Sequence, residues 1–174
     1  MERDETAMCL TCDIIAGKVV PAGGIIYQDD WIILHHCIDI NIAGYLIVSP
    51  VRHVETYGDL HEAEIRKIGV LTKDITAILS EFNGVEKIYL ASFGEETAHF
   101  HAHIFPRYKW IIDHHAQDVC LGNKIDGAKL LSICREKYKV EGQIMENDGI
   151  RDVVAKVRNR LRKKLGLQDK ILQA

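Results

Sequence analysis

The run His99-Phe100-His101-Ala102-His103-Ile104-Phe105 alternates imidazole and apolar side chains and ends at Pro106. Alternation of this kind marks a β-strand, because successive side chains point to opposite faces. A strand over residues 99–105 places three imidazoles on one face and Phe100, Ala102 and Ile104 on the other. With 9 histidines in 174 residues, about 0.02 such patterns are expected by chance. A merely solvated strand face carries Lys, Glu or Thr rather than three histidines. Two chemistries fit the pattern. Three imidazoles can hold a metal ion with an open fourth position. Alternatively, one imidazole acts as a nucleophile, since at an ordinary pKa near 6.5 it is largely neutral at pH 7. Attack on phosphorus gives a labile phospho-imidazole and splits one hard displacement into two easier ones.

The segments around this run set its context. Lys87 to Phe93 reads as the preceding strand, and Gly94-Glu95-Glu96-Thr97 as the connecting turn. Ile65, Ile68, Leu71, Ile75, Ile78, Leu79 and Phe82 recur on one helical face. Asp59 and Glu62 stand at capping-box spacing and predict the helix start, and Asn83-Gly84 predicts its end. Ile25 to Tyr27, Trp31 to Ile38 and Tyr45 to Val48 read as three further strands. Their connections are too short for crossover helices, so the pairing is antiparallel. Beyond Pro106 the patterning is weaker, with a short helix around Ala128 to Cys134. Ile150, Val153, Val154, Val157, Leu161 and Leu165 then predict a C-terminal amphipathic helix. The fold class is α+β: an antiparallel sheet of about five strands, one long packed helix and an appended C-terminal helix.

Composition narrows the function classes. The chain is 47% hydrophobic and 27% charged, ordinary for a globular domain. No apolar run approaches the roughly 20 residues of a membrane span. Met1 to Ala7 is polar and charged, which argues against a secretory signal. Five cysteines cannot all pair, so free or metal-bound thiols and a cytoplasmic setting are expected. A net charge of −3 argues against a dedicated nucleic-acid partner. Residues 151–174 carry a net +6 and leave −9 for residues 1–150. A basic segment can meet a polyanion, but its apolar stripe favours a surface helix whose cations are solvated.

Cys9-x-x-Cys12 supplies two thiols that can chelate one ion through a tight turn. A redox pair is the rival, but such pairs follow a strand at a helix start, and no apolar strand precedes Cys9. Cys37, Cys120 and Cys134 show no ligand spacing.

Taken together, His99-x-His101-x-His103 before Pro106-Arg107, Cys9-x-x-Cys12, Tyr27-Gln28-Asp29, and Gly44-x-Leu46-x-Val48-x-Pro50-x-x-His53 resemble the histidine triad (HIT) superfamily of nucleotide hydrolases and transferases. The resemblance covers roughly residues 9–107. It implies a HIT domain over residues 1–110 and an extension over 111–174, with the basic helix packed on or near the core. It implies cleavage at the α-phosphorus of a nucleoside phosphate derivative, with His101 as the nucleophile and a nucleotidyl-histidine intermediate. His103, and His99 if it binds no metal, would contact phosphate oxygens or the leaving group. A backbone carbonyl would fix the His101 tautomer, and backbone N–H groups near Gly94 and Thr97 would hold developing charge. In the branch with the cysteine pair, structural zinc is held by residues matching Cys9, Cys12, His53 and His99. A homodimer is also implied.

The sequence departs from the superfamily pattern at three places. Gly44-Tyr45 stands where many members have Gly-His. Glu95 and Glu96 replace a Gln-Ser/Thr type stretch, and two carboxylates beside a polyphosphate would repel it; either they point to solvent, or a divalent cation such as magnesium bridges, or the substrate carries less charge than a polyphosphate. The ribose-binding acidic position aligns with Cys37, which leaves Asp39 as the substitute. A zinc-stabilised nucleotide-binding module with weak or lost catalysis, a nucleotidyltransferase and a His₃ metal hydrolase are the alternative readings.

Overall fold

The computed structural model describes residues 9–144 and 147–166; Met1 to Ala7, Asp169 and Lys170 lie outside them. The elements run α1 (Leu10–Ile15), β1 (Tyr27–Gln28), β2 (Ile32–His36), β3 (Leu46–Pro50), α2 (Glu62–Ser80), β4 (Val85–Ala91), β5 (Ala102–Tyr108), α3 (Lys109–Val119), β6 (Cys120–Leu121), β7 (Lys124–Ile125), α4 (Gly127–Lys137) and α5 (Asp148–Leu165). The first five strands form one antiparallel sheet in the order β1-β2-β3-β5-β4. The expected α+β architecture is therefore present.

Helices cover both faces of this sheet. On one face, Leu34, Leu46, Val48 and Ile104 pack with Ile68, Leu71, Ile75 and Leu79 of α2. Ile150, Val154, Val157 and Leu161 of α5 join that core, with Val153 partly buried against it; Leu165, the last residue of the expected stripe, is exposed. Gly23 permits this approach. Its φ is +76°, and a Cβ there would stand 2.8 Å from Val154. Not every cation of α5 is simply solvated. Arg158 donates to the Ile25 carbonyl at 2.9 Å, Arg160 pairs with Glu81 and Lys164 with Asp74.

On the opposite face, Tyr45, Ile47 and Phe105 pack with Ile111 and Val119 of α3 and with Leu130, Leu131 and Cys134 of α4. The expected short helix is thus the centre of α4. The sequence reading missed α3.

Two boundaries differ from expectation. Asp59 does not cap α2, because its carboxylate accepts from Thr56 Oγ1 at 2.7 Å. His61 stands at the N-cap instead, and its backbone N–H donates to Glu64 Oε2 at 2.7 Å. Pro106 does not stop the histidine strand. The ladder begins at Ala102 and runs through Pro106, opposite Ile88, to Tyr108. Pairing with β3 ends at Ile104, so Pro106 lies where β5 has one neighbour and a missing donor is tolerated.

Candidate active site and metal-binding cluster

Phe100, Ala102 and Ile104 all contribute to the α2 side of the sheet, as alternation requires. The three imidazoles opposite them divide between two sites. His101 and His103 line a cavity of about 460 Å³ on the α3/α4 side. His99 turns to a separate cluster with Cys9, Cys12 and His53.

The cavity wall comes from several parts of the chain. Leu10, Thr11 and Ile14 of α1 face His35 of β2 and the segment Cys37 to Ile40; Ile47 lies on β3, Phe93, Glu95, Glu96 and Thr97 precede the triad, and Arg135 projects from α4. His35, Ile47 and His103 stand in one row across β2, β3 and β5. Paired residues share a face, so His35 joins the triad side.

The protonation state of each imidazole follows from its partners. His101 Nδ1 lies 2.8 Å from the His99 carbonyl. A carbonyl can only accept, so Nδ1 carries the proton and Nε2 keeps its lone pair. The ring centroids of His101 and His103 are 4.8 Å apart. His103 Nδ1 meets the buried Tyr45 hydroxyl at 3.0 Å. Burial drives the Tyr45 pKa well up, so the phenol keeps its proton and can donate to Nδ1 or accept from it. When it donates, the His103 proton sits on Nε2, a buried atom with no partner among the described residues. Burial, with His101 and Arg135 nearby, pushes the His103 pKa down to about 3. The Gly44-Tyr45 departure thus supplies a phenol that hydrogen-bonds a triad imidazole.

His35 is a cavity residue that the sequence reading missed. Its Nδ1 donates to the His36 carbonyl at 2.7 Å, and its buried Nε2 has no partner among the described residues. Burial lowers its pKa to about 4, against the bond to the His36 carbonyl, which favours the protonated ring. A signal existed: two histidines in an apolar strand, one of them necessarily on the triad face.

The other expected substrate contacts fall as follows. Asp39 lines the cavity, accepts from Cys37 Sγ at 3.3 Å and lies 3.5 Å from Lys139. Thr97 lines it as well, whereas Gly94 stands beside the lining in open space. Glu95 and Glu96 are exposed at the mouth, and Lys139 pairs with Glu96 at 3.2 Å.

The second site is a compact donor set. One ligand atom from each of Cys9, Cys12, His53 and His99 lies within 4.8 Å of every other. Cys9 Sγ and Cys12 Sγ stand 3.5 and 3.6 Å from His99 Nδ1, and Cys12 Sγ is 3.3 Å from His53 Nδ1. Tetrahedral bonds of about 2.0–2.3 Å require ligand–ligand edges of roughly 3.3–3.8 Å, and these three separations lie in that range. His99 Nε2 donates to the Pro50 carbonyl at 3.0 Å, which leaves Nδ1 bare toward the thiols. A carbonyl behind a ligating imidazole is the usual orienting partner.

The HIT domain family profile matches residues 19–110. The chain belongs to the HIT family. An uncharacterized HIT-like protein of Methanocaldococcus jannaschii is 28% identical over 106 residues, 59% of this chain and 81% of that one. The protein named hit of Bacillus subtilis is 30% identical over 105 residues, 58% and 71% of the two chains. Among solved structures, a zinc-bound histidine triad protein of Mycobacterium smegmatis superposes with a TM-score of 0.60 at 17% identity, covering 92% of this chain and 97% of its own. A hypothetical histidine triad nucleotide-binding protein of Sulfolobus tokodaii gives 0.57 at 16%, covering 95% and 100%. These structures share the HIT fold. Family membership associates the chain with nucleotide binding and with hydrolase or transferase chemistry.

Proposed function

We propose that this HIT protein is a nucleotide hydrolase acting at the α-phosphorus through a nucleotidyl intermediate on His101. The observation that carries this reading is the 2.8 Å bond from His101 Nδ1 to the His99 carbonyl. It leaves a bare Nε2 beside His103 in a cavity large enough for a small ligand. Nε2 attacks phosphorus, the N–P bond forms and the bond to the leaving group breaks. Water then attacks phosphorus and gives up one proton to solvent, the N–P bond breaks with its electron pair returning to Nε2, and a nucleoside monophosphate and free His101 remain. His103, neutral and protonated at Nε2, donates a hydrogen bond to a phosphate oxygen or the leaving group. Backbone N–H groups near Gly94 and Thr97 hold the developing charge, and Asp39 takes the ribose hydroxyls. Exposure of Glu95 and Glu96 leaves room for magnesium arriving with a polyphosphate.

The proposal includes a structural zinc on Cys9, Cys12, His53 and His99. Their spacing supports it, and so does the zinc reported in the Mycobacterium smegmatis relative. Four protein donors leave no open position, so the metal would stabilise rather than catalyse. Leu90, exposed on edge strand β4, and nearby Phe93 support a homodimer.

The test is turnover against dinucleoside polyphosphates, nucleoside phosphoramidates and sugar nucleotides, with His101→Ala alongside. The substitution is expected to lower kcat by at least about a thousandfold, because the covalent route is lost. Near-normal turnover by a clean His101→Ala preparation would refute the mechanism. Nucleotide binding without turnover by the unmodified chain would leave the binding-module reading.

A further inference from the structure

Arg135 enters the His101/His103 cavity from α4, outside the residues 19–110 that define the HIT match. Its position is fixed from two sides. Leu130, Leu131 and Cys134 of the same helix are buried against the sheet, and the guanidinium carbon stands 4.9 Å from the centre of the Phe93 ring. Phe93 in turn packs against His103, with ring centroids 5.4 Å apart. Stacking occupies one flat face of the guanidinium and leaves its edge of N–H donors available.

No acceptor meets those donors. Among the described residues Arg135 has neither an ion pair nor a hydrogen bond, although it is half-buried. Lys139, the other cation nearby, is engaged by Glu96 and Asp39. A partly desolvated guanidinium with five donors and no acceptor is poised for an anion.

We infer that Arg135 binds the anionic leaving group of the substrate, the phosphate beyond the α-phosphorus, and so makes phosphate the preferred leaving group. This rests on the hydrolase reading above. When His101 Nε2 bonds to phosphorus, the electron pair of the breaking P–O bond passes to the oxygen of the departing phosphate. Charge grows there, and a planar fork of N–H donors stabilises it as it forms. An uncharged amine leaving group offers no such contact. The extension beyond the HIT core thereby contributes a specificity residue to the cavity.

The experiment compares the unmodified 174-residue chain with R135Q and R135K on two substrates that share one nucleoside: a dinucleoside triphosphate and a phosphoramidate with an uncharged amine. R135Q is expected to lower kcat/KM for the triphosphate by about 100-fold, with less than about threefold change for the phosphoramidate. R135K is expected to fall between, since it keeps the charge without the fork. Equal losses on both substrates, or no loss on either, would overturn the assignment. Calorimetric titration with inorganic pyrophosphate tests the contact without turnover: R135Q should weaken binding at least about tenfold and leave nucleoside monophosphate binding unchanged. If the unmodified chain turns over neither substrate, the hydrolase reading fails by itself. Pyrophosphate then decides Arg135 alone, with unchanged binding in R135Q overturning it. Should R135Q fold poorly, R135K on the same substrate pair carries the comparison.

Discussion

His99 and His101 are two residues apart, yet the fold offers them to different chemistry. At His99 the Pro50 carbonyl takes the Nε2 proton and Nδ1 faces two thiols. At His101 the His99 carbonyl takes the Nδ1 proton and Nε2 faces the cavity. The side chains are identical; the position of one backbone acceptor decides which nitrogen is presented. The surroundings complete the contrast. His99 stands with three other potential metal ligands, Cys9, Cys12 and His53, whereas His101 opens onto the cavity.

The strongest way to break this comparison is to disable the cluster alone. Cys9→Ser or His53→Ala is expected to abolish tight metal binding and to lower Tm by roughly 10 °C or more, because metal affinity for a folded site is folding free energy. Elemental analysis of protein purified without chelator, with thermal melts, checks this. Protein lacking zinc from the outset would make the cluster a thiol–imidazole packing motif instead.

A smaller effect is expected from Tyr45→Phe, which keeps the ring and deletes the hydroxyl facing His103. The His103 tautomer is then no longer held, and a buried hydrogen bond is worth about 1–3 kcal/mol when one partner is left unpaired. The expected result is a 10- to 100-fold fall in kcat with little change in KM. Nitrogen chemical shifts of His103 should show mixed tautomers. An unchanged spectrum would mean that the cavity, not Tyr45, sets the proton.

The mildest test uses acid. His35 is neutral and buried, with its pKa lowered by burial to about 4 from an ordinary 6.5. Below pH 6.5 the unfolded chain takes up a proton that the folded chain refuses. Stability is therefore full above about pH 6.5 and is lost as pH falls toward 4, by on the order of 3 kcal/mol. His35→Phe should flatten the dependence of Tm on pH in that window. An equally steep profile would assign the acid sensitivity to the metal ligands or to His103.

Most of the sheet was legible because alternation and short connections constrain local geometry strongly. The Phe100, Ala102 and Ile104 face could be read directly, and so could the buried stripe of α2. Helix α3 was not legible because its inner face carries His115 between Ile111 and Val119. Its Nε2 meets the Tyr138 hydroxyl at 3.0 Å, a partner 23 residues away. The start of α2 was misread because Thr56 competes for Asp59, a choice that spacing does not reveal. His101, His103 and the four metal-type residues were recognisable from spacing and family pattern together. His35 and Arg135 were not, because their place in the cavity depends on how β2 and α4 pack. The row joining His35 to His103 exists only once β3 lies between them.

Helix α1 spans six residues, but it serves two places at once. Cys9 and Cys12 hold one end of the metal-type cluster, while Leu10, Thr11 and Ile14 form a wall of the cavity. Two ligands that lean on the same short helix cannot be thermodynamically independent. Whatever orders α1 for one also orders it for the other, and the coupling is reciprocal in free energy. A nucleotide seated in the cavity should therefore tighten the binding of an ion to the cluster by the same factor as the ion tightens the nucleotide. The availability of a trace metal would in this way set how firmly the chain grips its nucleotide, with no contact between the two.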